Sequence, residues 1–318
     1  VRNNITDNSN PERIINCTVD GNTMNVEEGH GAGMMLMERP YTVVEDTVFS
    51  NNTMTELAKF DIGGGGVSAL SWSVGPGHPE FYRCEFTANY SSSNGGGMAI
   101  RASNAASTTS LHLTAEDCVF EDNTADGSGG GLFTRGAVDP QASVVTITRC
   151  KFLGNTADDD ISGPGGAYHN QEYIMNVVNS LFANNQAQNH GGAINLFNHS
   201  GGYFINNTFY NNSCIKVNNY GGGLNIADGP ALELTNNLFL ENDDWAVNEF
   251  DDSATDPLMQ YNLFDSNPRG DYFNYEDSPT GDLSMAELNS LGSNIGNFQG
   301  SALLEDPAND LFQPFASS

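Results

Sequence analysis

Asp158, Asp159 and Asp160 stand side by side in the 318-residue chain and bring three carboxylates into one turn. Carboxylate and backbone oxygens are the ligands Ca²⁺ takes, so this run is the candidate metal site. Its plainer reading is a solvated loop, because three adjacent side chains need not converge. Asp243 and Asp244, with Asp251 and Asp252, form a second acidic surface. His169 and His190 are the other candidates for chemistry, since two imidazoles brought together could ligate a metal or act as acid and base. Neither has a carboxylate or a nucleophile at a defining distance in sequence. A lyase acting on uronates would need a base and cations to neutralise the substrate, and Arg101, Arg135, Arg149, Lys151, Lys216 and Arg269 are the basic residues at hand besides a few nearer the start. A glycosidase would set two carboxylates across a groove; the chain offers many, with nothing to select a pair. Trp245, Tyr168, Tyr203, Tyr210 and Tyr220 could stack on sugars, and are equally ordinary core or coil-edge material.

The balance of charge limits the partners. Eleven Lys and Arg oppose 40 Asp and Glu, a formal charge of -29. A field of that sign disfavours nucleic acid and anionic membranes and suits cations or cationic partners. The five cysteines are odd in number and widely spaced, which fits neither a disulfide scaffold nor a compact zinc signature. No N-terminal secretion signal and no uninterrupted apolar membrane span occurs. A start at Val1 instead of an initiator Met fits a mature protein, a fragment or an engineered piece.

The elements that must position these residues are written as a repeat. Val19, Phe49, Phe86, Phe120, Phe152, Phe182, Phe209, Phe239 and Phe264 recur at intervals of 25 to 37 residues, and each Phe has an Asn three residues later. Two residues before the anchors stand Cys17, Thr47, Cys84, Cys118, Cys150, Ser180, Asn207, Asn237 and Asn262. Cys fills a small apolar notch and Asn bonds to backbone or to the next amide, so this column is expected to stack inside the fold. Glycine-led apolar runs such as Gly191-Gly192-Ala193-Ile194 fall between the rungs. One such unit cannot bury its own apolar face, whereas stacked copies can. Constant strands with surface turns of changing length explain the uneven interval. The pattern predicts an all-β parallel solenoid of about nine coils with three short strands per coil. Residues 1–270 are expected to hold the repeats and 271–318 an irregular terminal coil or cap, with a short helical turn in SMAELNSL.

The pairing of GGAINL with CVFEDN resembles right-handed parallel β-helix repeat proteins of cell surfaces. It is similar in particular to polymorphic outer-membrane proteins and adhesin-like passengers, over residues 14 to 270. The resemblance implies a right-handed parallel β-helix outside the cell or on its surface, serving as a structural, adhesion or assembly scaffold. Surface proteins, glycans or further copies of itself would be its partners. The ending LLEDPANDLFQPFASS is similar to the distal part of some secreted β-helices, and no membrane-inserted barrel follows it. The same architecture occurs among polysaccharide lyases and hydrolases, so a carbohydrate-active enzyme working in a groove along the coils is the competing expectation.

Overall fold

A computed structural model describes residues 11–25, 30–37, 41–55, 63–71, 77–102, 110–136, 143–158, 163–198, 201–216, 221–229, 232–250, 256–274, 283–300, 304–306 and 311–314. The chain winds through four parallel sheets, each pairing one coil with the next. Sheet I runs from Glu12–Ile15 to Leu258–Gln260 and holds nine strands. Sheet II runs from Thr18–Asp20 to Phe298–Gln299 and holds ten; sheet III, from Thr23–Met24 to Ser213–Cys214, holds seven. Sheet IV, from Met34–Met37 to Gly270–Asn274, holds nine. Four strands per coil replace the expected three. The strands that escape the sequence pattern are those of sheet III, where pieces such as Thr124–Ala125 and Thr156–Ala157 are two residues long. Two residues are too few to display an alternation.

The corners explain why sheets I, II and III bend so tightly. One residue in the left-handed region separates I from II, as at Asn16, Asp46, Asp117 and Asn206, and another separates II from III, as at Asn51, Asp122 and Asn211. Asn and Asp enter this region most readily. The stack nevertheless imposes it on Arg83, Arg149 and Tyr261, at φ of 52°, 52° and 56°, against a local strain of about 1–3 kcal/mol.

The residue after each corner turns inward and is held by its counterpart on the neighbouring coil. Asn155 shows the pattern. Its Oδ1 accepts from the backbone N–H and the Nδ2 of Asn123, at 3.1 and 2.9 Å. Its own Nδ2 donates to Phe120 O and to Asn185 Oδ1, both at 2.9 Å. The Cys column imitates this with sulfur. Cys118 Sγ accepts from the Cys84 N–H at 3.5 Å and lies 3.4 Å from Phe81 O, much as Asn207 Nδ2 donates to Val177 O at 3.0 Å. The neighbouring thiol and burial hold Cys84 well above the usual thiol range, and Cys84, Cys118 and Cys150 are buried and form no disulfide.

Between the two corners the Phe anchors form one stack. From Phe49 to Phe264, seven successive ring pairs lie 4.5 to 5.1 Å apart and within 10° of parallel. A glycine corner then feeds sheet IV. A Cβ on Gly130 would lie 2.4 Å from Thr156 O and 2.5 Å from Gly166 O, so the coils approach backbone to backbone here and only glycine fits. Towards the end, the helical turn Met285–Leu288 is closed by a capping box between Ser284 and Glu287, and Leu288 joins the core.

Candidate functional site

Asp158 follows Thr156–Ala157 at the end of a sheet III strand, and the Gln188 side-chain amide donates to its Oδ1 at 2.6 Å. Asp126 holds the same place one coil earlier and accepts the Tyr90 hydroxyl at 2.5 Å. Burial and then that carboxylate push Tyr90 up to about 12. Asp159 and Asp160 lie outside the described residues, as do Asp251, Asp252 and Tyr220. Among the described residues no three His, Cys, Asp or Glu side chains gather as a metal centre requires.

His169 lies on the outer face of sheet IV, and His190 stands in the turn before the next strand of that sheet, Ile194–Phe197, near enough to act on His169 electrostatically. The column in register with His169 reads Phe133, His169, Asn195, Asn225 and Asn248. Its members alternate with the core residues Tyr168, Ile194, Leu224 and Val247, yet all are buried. Asn248 Nδ2 donates to Asn225 Oδ1 at 2.5 Å, and Asn225 Nδ2 to Asn195 Oδ1 at 2.7 Å. Asn195 Nδ2 lies 2.9 Å from His169 Nδ1. With an amide N–H as donor, Nδ1 is the acceptor and the ring proton resides on Nε2. Burial, reinforced by Arg135 and His190, holds His169 down at about 3. His190 packs edge-on against Phe250 at 5.0 Å, and burial lowers its pKa. A ring that stays neutral and whose acceptor nitrogen is already bonded is a packing element before it is a base.

The basic residues do not line one groove. Arg149 pairs with Asp117 at 2.8 Å and with Glu116, and Arg83 with Asp46 at 2.7 Å. These pairs stand about half exposed on the corner between sheets I and II, where water screens the charges and the pairs stabilise little. Lys151 is exposed on sheet II, and Arg101 and Arg135 are register neighbours on sheet IV. Of the candidate stacking rings, Tyr168 is fully buried with its hydroxyl 2.8 Å from Thr134 Oγ1, while Tyr203 is exposed on sheet I. One acid inside the solenoid escaped the sequence reading. Glu249 is buried and accepts the Tyr272 hydroxyl at 2.6 Å; its inward parity with Val247 in Trp245–Glu249 was the available signal.

Arg269, Lys216, Asp243, Asp244 and Trp245 meet where sheet III stops. The Arg269 guanidinium lies 3.9 Å from the centre of the Trp245 ring, and its Nη1 donates to Asp244 Oδ1 at 2.9 Å. Burial pushes Asp244 up to about 6 although Arg269 pulls the other way. A cleft of about 320 Å³ opens beside them, with Cys214, Ile215, Lys216 and Pro268 completing its lining.

Inward ladders, left-handed corners and four stacked parallel sheets define a β-helix. A family model described as "Right handed beta helix region" matches residues 110–281, more than half of the chain, and the chain belongs to that family. The probable autotransporter YfaL of Escherichia coli (strain K12) is 35% identical over 97 residues, which is 30% of this chain and 7% of YfaL. The chain thus spans a small part of that relative's length. No solved structure matches.

Proposed function

We propose that the chain is a surface-displayed or secreted β-helical scaffold that mediates adhesion or assembly through its outward residues and variable turns. The observation that carries this reading is the division of labour within each coil: inward columns form unbroken ladders, whereas interval length and outer residues change from coil to coil. The similarity to part of a probable autotransporter supports a place at the cell surface. Surface proteins, glycans or other copies of the chain are the partners this reading implies. Antibody raised against the 318-residue chain should label intact source cells; labelling only after permeabilisation overturns the surface assignment. Release of new sugar ends from a polysaccharide panel would favour the carbohydrate-active enzyme instead.

Two further assignments belong to the same proposal. Residues 271–318 are taken as the terminal cap of the 1–270 stack, supported by the burial of Leu288 and by Phe298–Gln299 pairing onto Leu263–Phe264. A chain ending at 270 should then aggregate, whereas a soluble, fully melting product would sink the cap. The run Asp158, Asp159 and Asp160 is taken as a weak Ca²⁺ site. A Ca²⁺-dependent rise in Tm that is lost when all three are changed to Asn supports it, and an equal rise in both proteins removes it.

A further inference from the structure

The repeat breaks its own rule at one corner. Sheet III ends at Ser213–Cys214, while the other three sheets continue through later coils. From Asn242 the chain passes through Asp243 and Asp244 directly into the sheet IV strand Trp245–Glu249. The register of that strand sets Val247 beside Leu224, so Asp244, Trp245 and Ala246 occupy the places of Gly221, Gly222 and Gly223. Asp244 keeps the left-handed backbone of its predecessor, φ 68° against 75° for Gly221. Trp245, in contrast, stands where even a methyl group on Gly222 would come 1.6 Å from Asp243 O.

Arg269 is the corner residue of the following coil, since Gly270 pairs with Trp245. Its guanidinium turns back and is fixed at two points, on the Trp245 face and on Asp244. A planar cation held this way is pre-oriented for a carboxylate. Its side chain remains 40% exposed while Asp244 is only 9% exposed, so the fork still meets the cleft. Lys216 adds a second cation, exposed Asp243 supplies an anionic pole, and Ile215 with Pro268 gives an apolar wall.

We infer that this cleft binds a small zwitterion, a free α-amino acid with an apolar side chain. The carboxylate is assigned to Arg269 and Lys216, the ammonium group to Asp243, and the side chain to Ile215 and Pro268. A simple anion would meet the long-range field of a chain charged at -29, and a simple cation would meet Arg269 and Lys216. A zwitterion carries no net charge and gains at both poles. A volume of about 320 Å³ lies at the small end of ligand sites, which are roughly 300–1,000 Å³. The assignment stands apart from the surface reading and does not depend on it.

The test is calorimetric or NMR titration of the full chain with L-leucine, L-leucinamide, N-acetyl-L-leucine and glycine. Leucine should saturate a single site, and loss of its carboxylate, its ammonium group or its side chain should each weaken binding by about tenfold or more. Arg269→Gln should reduce leucine affinity by a similar factor. Because that change could disturb the corner, Ile215→Ser at an exposed position serves as a second variant, expected to weaken leucine and leave glycine unchanged. Absence of saturation, equal binding of all four probes, or Ile215→Ser binding leucine like the parent overturns the proposal.

Discussion

Replacing Asn155 by Ala removes four hydrogen bonds in the middle of the stack. Three buried groups then lose a partner: the Asn123 N–H, one N–H of the Asn123 amide, and Phe120 O. Asn185 Oδ1 keeps the bond from the residue 155 backbone N–H, at 3.0 Å. At roughly 1–3 kcal/mol for each orphaned group, with partial rescue by water, the substitution should destabilise by about 3–6 kcal/mol. Asn155→Cys should be milder, about 1–2 kcal/mol, because the Cys column shows that Sγ accepts the facing N–H and reaches the preceding carbonyl. A stack of coils can open locally without unfolding throughout, so hydrogen exchange at the amides of residues 123 and 155 is the primary assay, with urea melts beside it. The Asn123 amide should lose most protection in the Ala variant and recover part of it in the Cys variant. Equal protection in both variants, or an Ala variant within about 1 kcal/mol of the parent, would refute the account of the ladder.

Three further outcomes follow from groups already placed. His169 is held down at about 3, so its contribution to stability is present above the unfolded value and is lost as pH falls from about 6.5 towards 3, amounting to about 2 kcal/mol by pH 5. His169→Asn extends the outer amide ladder and should flatten that acid limb in melts between pH 7 and pH 4. Asp244 has the opposite sign: raised to about 6, its contribution is full below an unfolded value of about 4 and is lost as pH rises through the folded one. The stability difference between the parent and Asp244→Asn should therefore shrink across that window and stay constant above it. Gly130→Ala forces a methyl group against two carbonyls and should destabilise by about 2–4 kcal/mol in urea unfolding.

What was legible in sequence was whatever recurs once per coil with one chemical identity. The Phe anchors and the Asn three residues later show through because their neighbours on adjoining coils are the same residue, and stacking like on like requires that. Sheet III was illegible because its strands, such as Tyr90–Ser91, Thr124–Ala125 and Gln186–Ala187, are two residues long, too short for an alternation to show. His169, Asn195, Asn225 and Asn248 form one polar column, yet each comes from a different coil, and only register assembles them. The Asp243–Arg269 cleft was hidden for another reason. Its residues come from three coils, and what joins them is a strand that is missing, which no local pattern announces.

The inner amides also give the rod a direction. Each Asn carbonyl closes on two donors left by the coil before it, so a coil is complete only when its successor has been laid down. A chain delivered N-terminus first always presents a donor-bearing face that the next coil is built to quench, and elongation proceeds by templating without rearrangement of what is already formed. Duplication or loss of a whole coil passes the same two donors to another Asn. The length of such a protein is therefore free to drift by unit steps through unequal exchange, while every internal bond is kept.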